Sequence, residues 1–143
     1  MADINLEAAN TGTAKKKIFL VEDDLFLSDM YRTKFTLSGF EMPHAEDGES
    51  ALRMIKEVKP DLVLLDIVLP KRNGFDVLKE LKKDAELSKV PVILLTNLSQ
   101  KDDVDKGFEL GANDYIIKAH FTPAEVVAKV EKVLAGGAKK VSS

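Results

Sequence analysis

Every group in this chain that could do chemistry stands directly after a short apolar run. Glu22, Asp23 and Asp24 follow Ile18-Phe19-Leu20-Val21, and Asp66 follows Leu62-Val63-Leu64-Leu65. Thr96 follows Val92-Ile93-Leu94-Leu95, and Lys118 follows Tyr115-Ile116-Ile117. Carboxylates brought close together repel one another unless a counter-ion separates them. A hard divalent cation removes that conflict. Mg2+ takes six oxygens at about 2.0–2.1 Å, from one or two carboxylates, waters and a phosphate oxygen. Softer metals find few ligands here, because the chain has no cysteine and only two histidines, His44 and His120. Disulfides and cysteine nucleophiles are excluded on the same count. The hydroxyl and the ammonium suit a phosphoryl group.

The apolar runs must position these groups. Asp61-Leu62-Val63-Leu64-Leu65 is short and nearly all apolar, as in a strand buried on both faces of a parallel sheet. Four more strands are read at Ile18–Val21, Phe40–Ala45, Val90–Leu95 and Asp114–Ile117. Between them apolar residues recur at helical spacing. The helices are expected over Asp24–Ser38 (Leu27, Met30, Tyr31 and Phe35 inward), Asp47–Val58, Phe75–Lys83, Ser99–Leu110 and Thr122–Leu134. Thr122-Pro123-Ala124-Glu125 reads as a capping box with proline at the first helical position. Five βα units in strict alternation imply right-handed crossovers and a parallel sheet with helices on both faces. The fold class is therefore α/β, a flavodoxin-like doubly wound (βα)5 sandwich with strand order 2-1-3-4-5. In such a sheet ligands bind beyond the carboxyl ends of the strands. Glu22, Asp23, Asp66, Thr96 and Lys118 all collect there.

The chain has 143 residues, 45% hydrophobic and 31% charged, which suits one domain. We read residues 1–14 as a disordered tail, 15–135 as the folded domain and 136–143 as a flexible tail. A net charge of −3 argues against direct nucleic-acid binding. No apolar run is long enough to span a membrane and no secretory leader is evident, so a cytoplasmic protein is expected.

From Lys16 to Leu134 the chain resembles the receiver domain of two-component response regulators, in layout the stand-alone chemotaxis type. The resemblance rests on Glu22-Asp23, on Leu65-Asp66-Ile67-Val68-Leu69-Pro70 with Gly74 eight residues past Asp66, on Pro91–Thr96 and on Gly111–Lys118. It implies that Asp66 is the phosphoacceptor, attacking phosphohistidine on a sensor histidine kinase or histidine phosphotransfer protein. Glu22, Asp23, Asp66 and the backbone carbonyl of Val68 would hold Mg2+, Glu22 through water. Lys118 would pair with the phosphoryl group, Thr96 would reach one of its oxygens, and Tyr115 would be the aromatic whose burial follows Thr96. Such a protein is a phosphoacceptor that assists its own phosphorylation and dephosphorylation rather than an enzyme. Its changed face, formed by the fourth helix, fifth strand and fifth helix, signals to a downstream protein, either as a monomer or by dimerising on phosphorylation. No output domain is read after Leu134. Leu25 and Phe26 fall off the buried face of the first helix, and we read them as a kinase-docking patch.

Three departures matter. The family usually has proline after the lysine, often in a cis bond, where this chain has Ala119. A non-proline cis bond costs about 3–4 kcal/mol, so a trans bond, a rearranged Ala119-His120-Phe121 loop and a less firmly placed Lys118 are expected. Val68 and Leu98 put apolar bulk where a hydrolytic water must pass, which implies slow self-dephosphorylation. Asn97 stands where the family prefers a small residue and would narrow the pocket mouth. His44 and His120 read as incidental surface residues.

Other classes fit less well. A phosphorylation-independent interaction module would not need Asp66, Thr96 and Lys118 together. A haloacid-dehalogenase-type hydrolase wants Asp-x-Asp after the first strand. A flavodoxin wants a Ser/Thr/Gly phosphate loop there, where this chain has three acids.

Overall fold

The computed structural model describes residues 15–98 and 100–136. The two tails read from the sequence, residues 1–14 and most of 136–143, lie outside the described residues, as does Ser99. The elements alternate as expected: β1 (Ile18–Val21), α1 (Leu25–Leu37), β2 (His44–Ala45), α2 (Gly48–Val58), β3 (Leu62–Leu65), α3 (Gly74–Lys83), β4 (Val92–Thr96), α4 (Lys101–Glu109), β5 (Asp114–Ile117) and α5 (Pro123–Leu134). All pairings are parallel, and the sheet order is β2-β1-β3-β4-β5. This is the flavodoxin-like order 2-1-3-4-5.

The strand period of two divides the core. Phe19, Val21, Val63, Leu65, Val92 and Leu94 pack on one face, with Ala51 and Ile55 of α2 and Phe75, Leu78 and Leu81 of α3. Ile18, Leu20, Leu62, Leu64, Ile93 and Leu95 pack on the other, with Tyr31 and Phe35 of α1 and Val126 and Val130 of α5. The central strands are buried on both faces, which is why they read as continuous apolar runs rather than alternating ones.

Asp24, Asp47, Asn73 and Thr122 each cap the helix that follows by accepting a backbone N–H. Thr122 and Glu125 form the expected capping box. Asp24 and Asp47 are thus caps rather than first-turn residues. The second strand is shorter than Phe40–Ala45. Its ladder is one-sided at proline: Leu20 donates to the Pro43 carbonyl at 2.9 Å, and Pro43 has no N–H to return. Upstream, only an isolated bridge between Lys17 and Glu41 remains.

Candidate functional site

β1 and β3 are neighbours in register, Val21 opposite Leu65, so the residues after them meet at one edge. Asp66 continues the pairing, donating its N–H to the Val21 carbonyl at 3.1 Å. Its side chain is nearly buried. Glu22 is 1% exposed, and its Oε2 accepts the Asp24 N–H at 3.1 Å. Asp23 stays exposed at the rim. One carboxylate oxygen from each of Glu22, Asp23 and Asp66 lies within 4.8 Å of the others.

Lys118 closes the pocket from the end of β5. Its Nζ donates to Glu22 Oε1 at 2.5 Å and to Asp66 Oδ2 at 2.8 Å, and its side chain is only 9% exposed. Burial pushes the Glu22 carboxyl above its ordinary range despite the Lys118 contact. Burial would by itself lower the Lys118 ammonium, but the hydrogen bonds from two carboxylates overcome it and hold it above its usual value. One ammonium thus offsets two buried acids, while Asp23 adds a third nearby.

Every described peptide bond is trans, including Lys118-Ala119, and Lys118–His120 forms a short 3-10 turn. The expected loosening of Lys118 is not found: two carboxylates fix the ammonium where the family's proline does not. His44 is not the incidental surface residue its sequence context suggested. It is half-buried, and its Nε2 donates to the Glu22 backbone carbonyl at 2.8 Å, tying the edge strand to the acidic loop.

The acids and Lys118 open into a cleft of about 300 Å3, whose other walls include Val68, Thr96, Asn97 and Leu98. Val68 is 62% exposed, and its N–H donates to Asp66 Oδ1 at 3.3 Å. Thr96 is buried, with its Oγ1 accepting the Leu98 N–H at 3.4 Å. Tyr115 stands behind Leu98 and donates its phenol to the Leu98 carbonyl at 2.7 Å. Burial, with Asp103 and Asp66 nearby, pushes that phenol up to about 12. Leu25 and Phe26 are 56% and 78% exposed, off the packed face of α1 as read from the spacing.

The donor set fits a hard cation. All three acids offer oxygen, Asp23 is open to solvent, and a divalent ion would relieve the desolvated charge at Glu22. The cluster could therefore bind Mg2+.

The profile of the response regulator receiver domain matches residues 18–131. The chain belongs to the response regulator receiver family. Phosphorylation and Mg2+ binding are characteristic of that family. Among curated relatives, the probable transcriptional regulator ycf27 of Porphyridium aerugineum is 40% identical over 84% of this chain and 48% of its own length. The DNA-binding response regulator MtrA of Mycobacterium tuberculosis is 42% identical over 82% of this chain and 50% of its own. The chain thus spans about half the length of these relatives. A putative response regulator from Chloroflexus aurantiacus superposes with a TM-score of 0.80 at 31% identity, covering 85% of this chain and 99% of that one. No described helix is long and apolar enough to cross a membrane.

Proposed function

We propose that Asp66 accepts a phosphoryl group from a phosphohistidine of a sensor histidine kinase or histidine phosphotransfer protein, with Mg2+ as cofactor. The observation that carries this reading is the single constellation of buried Asp66, two further acids within 4.8 Å and a lysine at 2.8 Å. In the transfer an Asp66 carboxylate oxygen bonds to phosphorus while the phosphorus–nitrogen bond to imidazole breaks. The imidazole leaves with that electron pair and takes up a proton. Glu22, Asp23, Asp66 and the Val68 carbonyl would hold Mg2+, Glu22 through water, and the ion would supply charge neutralisation. Lys118 gives its N–H to a phosphoryl oxygen. Positioning and neutralisation are most of what phosphoryl transfer needs from a protein.

The phosphoryl adds about −1.5 to −2 charges and three acceptors. Thr96 turns its hydroxyl toward them, and Tyr115 follows into the space Thr96 leaves. The α4–β5–α5 face then differs, and a downstream protein reads it. Moving that equilibrium from 1:99 to 99:1 takes about 5.5 kcal/mol, within reach of several charge-assisted hydrogen bonds. Leu25 and Phe26 dock the kinase. Phe26 borders a surface groove of about 540 Å3 with Met30 and Leu37 of α1 and Pro123 of α5, and Asp29 and Lys34 also line it.

The test is intact-mass measurement after incubation with acetyl phosphate and Mg2+. Wild type gains one phosphoryl group and Asp66→Ala gains none. Labelling elsewhere overturns the assignment. The same sample, transferred to Mg2+ buffer without acetyl phosphate, gives the lifetime. Val68 and Leu98 offer a hydrolytic water no hydrogen bond, so decay takes minutes or longer, and a half-life of seconds contradicts that role.

A further inference from the structure

The loop that carries Val68 is gripped at two glycines, and only one of them touches the acceptor. At Gly74 the N–H donates to the Ile67 carbonyl at 2.7 Å, and a Cβ there would lie 2.2 Å from the Asp66 carbonyl oxygen. At the far side Gly48, the first residue of α2, donates its N–H to the Pro70 carbonyl at 3.3 Å. The Arg72 N–H donates to the same oxygen at 2.7 Å, through a turn in which Lys71 has φ 68°. A Cβ on Gly48 would stand 2.1 Å from the Arg72 carbonyl oxygen and 2.8 Å from Arg72 Cβ. Gly48 does not have positive φ, so its requirement is space, not conformation.

α2 cannot back away from this contact. Asp47 caps it through the Ser50 N–H at 2.7 Å, and Ala51 and Ile55 are fully buried. The tip of the loop is the side with room to move, because Pro70, Lys71 and Asn73 are exposed, whereas its base at Asp66 and Ile67 is buried. Any side chain at position 48 therefore displaces the loop and spares the core.

We propose that Gly48 is a positioning residue for the Mg2+ site: its missing side chain lets α2 clamp the Pro70–Arg72 turn, and the clamp fixes the Val68 carbonyl beside the acids. This rests on the reading that Val68 and the acids hold Mg2+. Gly48 touches neither metal nor acceptor. It acts through the loop, as supporting residues act on metal ligands elsewhere.

The experiment compares the full chain as wild type, Gly48→Ala and Glu49→Ala, the last an exposed neighbour on the same helical turn. Mg2+ affinity is measured by calorimetry, and amide resonances are recorded in EDTA. By helix propensity alone, alanine at 48 is neutral or favourable. The clamp instead predicts Mg2+ binding weaker by about tenfold in Gly48→Ala, unchanged in Glu49→Ala. It also predicts that the Asp66 and Val68 amides shift in metal-free Gly48→Ala while those of β5 stay put. Wild-type-like affinity and unshifted Val68 overturn the clamp, and so does a Gly48→Ala chain that fails to unfold cooperatively. If wild type takes up no Mg2+, the metal reading fails, and the metal-free resonances still decide whether Gly48 sets the loop.

Discussion

Two segments leave the same edge of the sheet and are held very differently. The stretch from Asp66 to Gly74 is fastened by backbone hydrogen bonds to Val21, to Gly48 and within itself, and by the Asp66 side chain. It runs into α3, which Asn73 caps and which buries Gly74, Phe75, Val77, Leu78 and Leu81. The stretch after Thr96 has, among the described residues, the Leu98 N–H to Thr96 and the Tyr115 phenol to the Leu98 carbonyl. It runs into α4, whose N-cap Gln100 makes no side-chain bond and whose one buried residue is Gly107. The difference divides the labour. Chemistry that works by positioning needs its groups fixed before the substrate arrives. A signal that works by shifting populations needs an element whose displacement is cheap, and such elements come from the weakly packed end of a structure.

The strongest way to break the fixed half is to remove its ammonium. Lys118→Met leaves Glu22 and Asp66 buried without their counter-charge, a loss of roughly 3–5 kcal/mol at neutral pH in EDTA. The sign with pH follows from Glu22. Its folded pKa is already raised by burial and rises further without Lys118. The stability tied to protonated Glu22 is complete below its unfolded pKa and is lost as pH rises through the folded one. The penalty should therefore be small in acid and grow toward neutrality, and Mg2+ should recover part of it. Thermal unfolding from pH 4.5 to 8, with and without Mg2+, checks this. A pH-independent penalty would show that packing, not charge, holds Lys118.

The two halves can be set against each other with one kind of substitution. Gly74→Ala drives a methyl into the Asp66 and Ile67 backbone, which cannot step aside. Gly107→Ala meets the end of the Leu94 side chain at 2.5 Å, and a methyl of leucine can swing away. Overpacking against fixed atoms costs about 1–3 kcal/mol or more, so Gly74→Ala belongs at or above that range. Gly107→Ala gains about 0.8–1.0 kcal/mol of helix propensity, which offsets most of its smaller clash. Urea denaturation separates the pair. Equal losses would mean that α4 is seated as rigidly as the loop after Asp66.

Much of this was legible before the structure. The apolar runs of the central strands gave the sheet because burial on both faces leaves no room for polar residues. The acids and Lys118 could be placed because each ends a strand, and parallel strands share one edge. The glycine contacts could not be read that way. Gly48 sits in an ordinary helical start, and nothing local says that Arg72, 24 residues on, occupies the space its side chain would need. His44 was missed for the same reason: its partner is the Glu22 backbone carbonyl at the end of the neighbouring strand, distant in sequence. Pro43 could have warned that the second strand was too long, since a proline cannot return a ladder bond. The acids were legible at the same edge as Lys118, but not that two of them would take its ammonium directly, which is why the missing proline was given too much weight.

The smallest effect tests the loose half directly. α4 already has Asp102 and Asp103 in its first turn, where acids favour the helix dipole, so what it lacks is a cap rather than charge. Gln100→Ser supplies a hydroxyl able to accept a first-turn N–H without adding charge. A cap of this kind contributes about 0.5–1 kcal/mol, or about two- to fivefold in local opening. Amide hydrogen exchange should slow by that factor along α4 and stay the same in α3, whose cap is in place. If α4 amides in wild type already exchange as slowly as those of α3, and Gln100→Ser changes neither, then α4 is held more firmly than by buried Gly107 and the Lys106 ammonium over the Phe75 ring, 4.7 Å from its centroid. The face assigned to signalling would then be no easier to move than the one assigned to chemistry.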